Sequence, residues 1–426
     1  MLIEFSVGNY RSFKEVVTFS MVAAKLKAKD SGLDEQNVFN PQSDLNLLKS
    51  AAIYGANASG KSNFISALSF VRKFILNSSK DSQANEPIPI ERFRLSSEKV
   101  NEPAFFEIVF LLKGKKYRYG FEVTPEKIIS EWLFYTPTTK DAKLFTREFS
   151  EITLSNTYKE GKGITERTRD NALFLSVVAQ FNGTIAREVL GWFSTLRIVS
   201  GLTDMETRKY TIQTFASDEE HKTAIIKFIK KLDLNIEEIQ VEAEKEHIEL
   251  KSLVPNMKVT MSQYTGKSSV RTSHKKYDQK GRPVAIELFD LDENESEGTK
   301  KLFSLAGILV RVIEYGETIA IDELDARLHP LITCAIIRLF NSNESNPNNA
   351  QLIFTTHDIN LLSNTIFRRD QIWFTEKNKQ GATSLYALAE FKVRNDASFE
   401  KDYIQGRYGA IPFIGDFSKL MGKSNG

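Results

Sequence analysis

A mixed α/β fold, built around a strand–loop–helix unit with an antiparallel β region beside it, is predicted by three observations. First, the apolar run 51–54 reads as a buried strand and passes through Gly55-Ala56-Asn57-Ala58-Ser59-Gly60-Lys61-Ser62 into residues 61–76, where Phe64, Ile65, Leu68, Val71 and Ile75 recur at helical spacing. Second, residues 104–147 change to aromatic and β-branched runs. Third, two short apolar strands, within 317–322 and 351–355, each end in acidic or polar residues.

The first of these satisfies G-x-x-x-x-G-K-[ST] in the strand-to-helix context that the pattern requires. Gly55 and Gly60 let the backbone turn back and aim its N–H groups inward, and the positive end of the following helix attracts phosphate. Lys61 would reach the β- and γ-phosphates, and Ser62 would offer its hydroxyl to Mg²⁺. Ala56, Ala58 and Ser59 are small enough for phosphate to lie on the main chain, so the candidate nucleotide segment runs Gly55, Ala56, Asn57, Ala58, Ser59, Gly60, Lys61, Ser62, Asn63. The plainer alternative is a glycine-rich turn capping an ordinary helix.

At 426 residues, two or three domains are expected. The divisions fall at 1–193 (first lobe, with the phosphate loop and the antiparallel sheet), 194–290 (an inserted α+β subdomain), 291–390 (second lobe) and 391–426 (tail). With 57 basic against 55 acidic residues, nucleic acid or an anionic surface could be met only by a local patch. One cysteine, Cys334, excludes an internal disulfide and a Cys-rich metal site. Met1-Leu2-Ile3-Glu4-Phe5 lacks a basic leader region, and no apolar run is long enough to span a bilayer, so a cytoplasmic protein without membrane contact is expected.

Taken in order, 2–7 and 16–21 read as paired strands around the turn Asn9-Tyr10-Arg11-Ser12-Phe13, and 24–44 as a polar loop with weak helical hints. After the phosphate-loop unit comes a Ser/Asn/Pro-rich connection at 76–89. Strands follow at 104–112, 116–123 and 128–134, the first two joined by Lys113-Gly114. Helices are expected at 171–180 and 185–193, a strand at 196–199, and a helix at 219–232 with Ala224, Ile225, Phe228 and Ile229 on one face; strands then run to about residue 290. No sustained heptads occur, so no long coiled coil is expected. Between 258 and 282 lie Lys258, Lys267, Arg271, Lys275, Lys276, Lys280 and Arg282 against one acid, Asp278, with Tyr264 and Tyr277 interleaved. This is either a solvated hairpin or a nucleic-acid contact.

Three later motifs carry chemistry. In E-T-I-A-I-D-E-L-D-A-R-L-H-P (317–330) an apolar strand delivers Asp322 and Glu323 at its carboxyl end, the first placed to hold Mg²⁺ and the second to polarise an attacking water. In Q-L-I-F-T-T-H-D (351–358) His357 stands at a second strand tip, able to sense a γ-phosphate or simply to cap. Ahead of both, N-E-S-E-G-T-K (294–300) precedes the periodic helix 302–313; Ser296 is a helix cap by one reading. By the other, Ser296 and Gly298 form a second phosphate surface that serves ATP held by another subunit.

Phosphate loop, S-E-G-T signature, D-E acidic pair, the loop 325–330 and T-T-H-D, in that order, resemble the ATP-binding cassette heads of the SMC/RecF class of ATPases. The short middle region, D-E-L-D-A-R-L-H-P and the tail D-Y-I-Q-G-R-Y-G-A-I-P (402–412) resemble bacterial abortive-infection ATPases of the AbiL/RloA type. The resemblance implies an ABC/SMC-like head with an antiparallel β subdomain, ATP and Mg²⁺ as cofactors, and a homo-oligomer, at least a dimer, with composite sites. It implies Glu323 as general base with Lys61 and His357 as catalytic partners, Ser62 and Asp322 on the metal, Ser296 and Gly298 acting in trans, and Asp325 at the dimer seam. The class's Q-loop glutamine has no recognisable context; Gln180, after a buried helix, is the nearest match. The implied function is an ATP-driven sensor of anti-phage defence gating a separate effector, a nuclease among the candidates; the alternative is a DNA-maintenance ATPase that clamps DNA with the basic stretch. The tail, rich in aromatics and glycines, suits packing against the head as well as a partner interface.

Overall fold

Every second residue faces the core of the largest sheet: Ala104, Phe106, Ile108 and Phe110 from one strand, and Tyr117, Tyr119, Phe121 and Val123 from the next, all at most 5% exposed. The computed structural model describes residues 1–80, 83, 86–137, 140–232, 235–251, 258–394 and 397–412, with backbone alone at 243–251 and 258–267. Two compact units divide the chain, one taking in Leu2–Ser194 and Thr355–Gly426, the other Thr195–Phe354.

In the first unit, seven antiparallel strands lie in the order Glu151–Leu154, Ala142–Glu148, Ile128–Thr136, Lys115–Val123, Ala104–Leu112, Leu2–Gly8, Val17–Ser20. The phosphate-loop helix, Lys61–Asn77, buries Phe64, Ile65, Leu68, Val71 and Ile75, the face that the sequence predicts. Ring contacts of Phe64 with Phe5 (5.6 Å), Phe70 with Phe106 (5.2 Å) and Phe74 with Phe121 (5.6 Å) seat it on the sheet. The strand feeding the helix, Ser50–Tyr54, is buried at every position. It runs parallel to Ile372–Lys377, which pairs antiparallel with Thr383–Ala387.

The fully buried Glu131 ties strand to helix in this unit. It accepts from the N–H groups of Phe174 (2.7 Å) and Leu175 (3.0 Å) at the start of Phe174–Gln180 and from Tyr119 Oη (2.8 Å). The stretch read as loop at 24–44 holds a helix at Ser31–Gln36, capped by Asp30, and a strand at Val38–Gln42 paired with Leu45–Leu48. Its residues are polar because most of them stay exposed.

The tail packs on its own unit. Tyr403 stacks on Phe374 (5.4 Å) and donates to the Ala410 carbonyl (2.9 Å), while Tyr386 Oη donates to the Tyr408 carbonyl (2.9 Å). Residues 413–426 lie outside the described residues.

In the second unit, Leu196–Ser200 runs parallel to Thr318–Asp322, which runs parallel to Gln351–Thr355. Three helices, Met205–Ser217, Glu219–Lys231 and Glu297–Tyr315, share a core of Ile212, Phe215, Ile225, Ile229, Phe303 and Ala306. The inserted region is a three-stranded antiparallel sheet of Glu238–Lys251, Lys258–Tyr277 and Pro283–Asp290. The longest helix among the described residues has 19 residues, so no long coiled coil is present there, and no described helix is long and apolar enough to cross a membrane.

Candidate nucleotide site

Gly55 and Gly60 adopt φ of +153° and +116°, backbone that L side chains rarely take. Space forbids a side chain as well: a Cβ on Gly55 would strike the Thr375 carbonyl and sit 2.6 Å from Ser59 Oγ, and one on Gly60 would lie 2.5 Å from Thr383 Oγ1. Ala58, at φ +61°, completes a loop folded back on itself. Lys61 is 4% exposed and crosses this loop, its Nζ donating to the carbonyls of Gly55 (2.8 Å) and Ala56 (3.1 Å). Ser62, next on the helix, is exposed, as are Asn57 and Ala58, while Ala56 and Asn63 are half-buried.

Three distant segments staple the loop. Thr375 Oγ1 lies 2.6 Å from Ser59 Oγ, and Thr383 Oγ1 donates to the Ser59 carbonyl (2.7 Å) and lies 2.8 Å from Ser12 Oγ. Ser12 Oγ also accepts from Asn63 Nδ2 (2.7 Å). The turn at 9–13 is therefore part of the support. Arg11 reinforces it, donating to Ser66 Oγ on the helix and to Glu91, both at 2.9 Å.

His357 belongs to the same unit. Thr355 and Thr356 are fully buried, and the Thr356 N–H donates to the Ile53 carbonyl (3.2 Å) on the strand that leads into the loop. His357 follows directly and is exposed. Gln180 is exposed at the end of its helix.

The acidic pair and the signature gather in the second unit. Asp322 ends its strand opposite Ser200, and the chain leaves the strand at Glu323: its φ is +53°, so a backbone turn, not the pleat, aims its side chain. Gly201 makes the turn possible. Its N–H donates to the Asp322 carbonyl (2.5 Å), and a Cβ there would overlap the Glu323 carbonyl oxygen. Beyond Glu323 the loop closes by Ala326 N–H to the Glu323 carbonyl and Leu328 N–H to the Asp325 carbonyl, both 3.1 Å.

Ser296 caps Glu297–Tyr315, accepting from the Thr299 N–H (3.1 Å), and the helix start packs on the same loop, with Gly298 facing the Arg327 carbonyl at a spacing that would put a Cβ 3.2 Å away. Arg327 donates to Asp204 (2.5 Å) and Glu297 (3.3 Å), and the wholly buried Lys301 donates to Asp204 (2.8 Å) and the Gly201 carbonyl (2.6 Å). Burial pushes the Lys301 ammonium below its ordinary pKa, with Asp204 opposing the shift. Gly201, Asp204, Lys301 and Arg327 are absent from the sequence-derived set, as are Ser12, Thr375 and Thr383.

The basic stretch is largely neutralised where its side chains are described. Arg271 faces Glu242 (3.7 Å), Lys275 faces Glu237 (2.6 Å), Lys276 faces Glu287 (3.1 Å) and Arg282 faces Asp278 (3.0 Å). Lys280 is exposed, and the side chains of Lys258 and Lys267 lie outside the described residues. Among the described residues no group of three or more His, Cys, Asp or Glu is arranged to hold a metal ion. A protein-only metal cage is not what this pattern calls for, since one hydroxyl and one carboxylate beside phosphate oxygens suffice for Mg²⁺.

A family model described as "AAA domain, putative AbiEii toxin, Type IV TA system" matches residues 50–363. Among solved structures the chain is similar to the SMC head domain from Thermotoga maritima, with 14% identity over 91% of this chain and 98% of that one and a TM-score of 0.39. It is also similar to the Smc head domain with a coiled coil and joint from Pyrococcus yayanosii (10%, 96% and 99%, 0.42). A third is the recombination mediator protein RecF bound to ATP (13%, 91% and 97%, 0.34). No curated protein matches it.

Proposed function

The chain belongs to the AAA-domain family matched over residues 50–363, and from that premise we propose that it binds and hydrolyses ATP with Mg²⁺, dimerises around the nucleotide, and switches a separate effector in antiviral defence. The observation that carries this is the loop 55–60, with two glycines in conformations and spaces closed to other residues and Lys61 laid across its carbonyls. Such a loop turns its N–H groups inward for phosphate. Lys61 then exchanges neutral carbonyls for phosphate oxygens, a stronger partner for an ammonium. Ser62 supplies its hydroxyl to the metal and Asp322 its carboxylate, while Glu323 takes the proton of the attacking water. His357 reads the γ-phosphate. ATP and Mg²⁺ together supply the transferable phosphoryl group and the charge that neutralises it.

Dimerisation is supported by the signature. Ser296 Oγ accepts from the Thr299 N–H and lies 2.9 Å from Thr299 Oγ1, an exchangeable hydroxyl pair at an exposed helix start, and Gly298 leaves that start open for an anion from a second copy. Asp325 belongs at that seam. The defence role is supported by the family's description as a putative toxin of a Type IV toxin–antitoxin system.

Glu323→Gln should lower kcat by about 10²-fold or more and accumulate an ATP-dependent dimer by light scattering, while Lys61→Ala should abolish nucleotide binding. Hydrolysis by Glu323→Gln at the wild-type rate would overturn the general-base assignment. Mixing Lys61→Ala with Ser296→Arg chains should restore one composite site per dimer; no recovered activity would count against action in trans.

A further inference from the structure

The sheet that carries the basic stretch has an open edge. Its strands lie in the order Glu238–Lys251, Lys258–Tyr277, Pro283–Asp290, so the last of them bonds to one strand and has none on its other side among the described residues. Which backbone groups face that open side follows from its two ends. At one end the Asp290 N–H turns to Asn294 Oδ1 (2.8 Å). At the other, the Arg282 carbonyl accepts from the Asp278 N–H (2.9 Å), and the register slips by one residue between Ala285 and Pro283, the mark of a bulge. Counting inward from either end gives the same answer: Ala285, Glu287 and Phe289 bond to the neighbouring strand, while Ile286 and Leu288 turn both N–H and C=O to the open side.

The side chains beside these groups stand in solvent. Ile286 is 57% exposed and Leu288 47%, with Val284 at 60% next to them in the bulge, whereas Phe289, on the opposite face, packs on the His274 ring (4.7 Å). Unmet backbone groups beside a row of large apolar side chains make an edge strand a template for another strand. The features that commonly guard such an edge, a proline and a bulge, sit here at its first residues only and leave 285–290 unguarded.

The strand complements itself. Antiparallel pairing of two copies about Ile286 sets Ile286 on Ile286, Val284 on Leu288 and Ala285 on Glu287, and lets the outward N–H and C=O groups meet. Slipping the pairing so that Glu287 faces Glu287 would oppose like charges, which selects the register about Ile286. That register also turns Arg282, four residues before Ile286, toward Asp290, four residues after it, so opposite charges meet at both ends of the contact. The Arg282 side chain is 70% exposed.

We propose that Pro283–Asp290 is a contact between copies of this chain, joining two three-stranded sheets into one of six strands by antiparallel pairing about Ile286. The contact needs no nucleotide and is separate from the one proposed around ATP, so one copy can hold a different neighbour through each. Sedimentation velocity of the full chain without nucleotide, over a concentration series, should show a reversible dimer, and Ile286→Lys should weaken it about tenfold or more by setting two ammonium groups opposite each other. The register is read by cross-linking in a Cys334→Ser background, which removes the native thiol. Ile286→Cys should form a disulfide-linked dimer under mild oxidation. Leu288→Cys should not, because the two residues 288 would lie about 13 Å apart along the strands, beyond the span of a disulfide. A wild-type chain that stays monomeric would overturn the proposal and leave this edge to a strand of another protein. A dimer undiminished in Ile286→Lys, or cross-linking at 288 as fast as at 286, would overturn it as well. The sedimentation series uses the wild-type chain and so stands even if a variant does not fold.

Discussion

Gly201→Ala perturbs the acidic pair without touching either carboxylate. Gly201 follows Ser200, which lies opposite Asp322, and a Cβ at 201 would lie 2.5 Å from the Asp322 carbonyl oxygen and overlap that of Glu323. Both obstacles are backbone atoms, which cannot swing aside as a side-chain tip does. Restoring an ordinary contact therefore moves the strand end by at least about 0.5 Å at Asp322, and further at Glu323, which is the tolerance within which catalytic groups must be held. A 1 Å misplacement costs about 10²-fold in rate, so kcat should fall roughly 10- to 100-fold. Overpacking against fixed neighbours should cost about 1–3 kcal/mol of stability. Gly55 to Ser62 lie elsewhere in the sequence and keep their own support from Ser12, Thr375 and Thr383, so ATP affinity should change less than about threefold. Steady-state ATPase rates, fluorescent-nucleotide titration and thermal melts separate the three effects. A variant with kcat within twofold of wild type and an unchanged melting temperature would refute the argument that Gly201 sets the position of Glu323.

Two further outcomes are expected. Lys49 is fully buried, and burial pushes its ammonium down to about 8 from 10.5. Between those values the unfolded chain binds more protons than the folded one, so this group makes stability rise with pH, by up to about 1.4 kcal/mol per pH unit. Urea melts at pH 8, 9 and 10 should show that slope diminished in Lys49→Met relative to wild type; identical slopes would contradict it. Lys275 and Lys276 already face Glu237 and Glu287, so replacing both by Gln should leave duplex-DNA affinity and its salt dependence unchanged. A salt slope smaller by about two would instead favour DNA clamping.

What the sequence discloses follows from how local each signal is. Residues 55–62 are legible because the motif, the strand before it and the helix after it lie within a few turns of chain, and the predicted face Phe64, Ile65, Leu68, Val71, Ile75 is the one buried. Asp322 is legible for the same reason. The aim of Glu323 is not, since alternation describes a strand and the chain leaves the strand there with φ +53°. Ser12, Thr375 and Thr383 reach the loop from up to 324 positions away, and small polar residues leave no periodic trace. The helix Met205–Ser217 escapes notice because buried threonines take the place of apolar residues on its inner face. Thr211 accepts from the Gly307 N–H (3.1 Å) and donates to the Ser304 carbonyl (2.9 Å), a fit that depends on a glycine in the other helix.

The cluster around Asp204 bears on how the signature and the acidic pair act. One carboxylate receives Lys301, which is wholly buried, and Arg327, whose other branch reaches Glu297. Glu297 also receives Lys300 (2.9 Å), so three cations meet two carboxylates. Withdrawing Asp204 would leave Lys301 buried without its carboxylate, a change that typically costs several kcal/mol, so the group is held as a set. Its members sit on three stretches of chain: Gly201, which touches the Glu323 backbone; Arg327, which follows it; and Glu297 with Lys301 on the helix that Ser296 caps. A shift of the backbone at Glu323 would therefore press on Gly201 and on the cluster that holds the start of that helix. On the proposed reaction, the residue that takes the proton and the serine that faces the second copy's ATP are joined through one hydrogen-bonded cluster, which gives a route by which a change at Glu323 would be felt at Ser296.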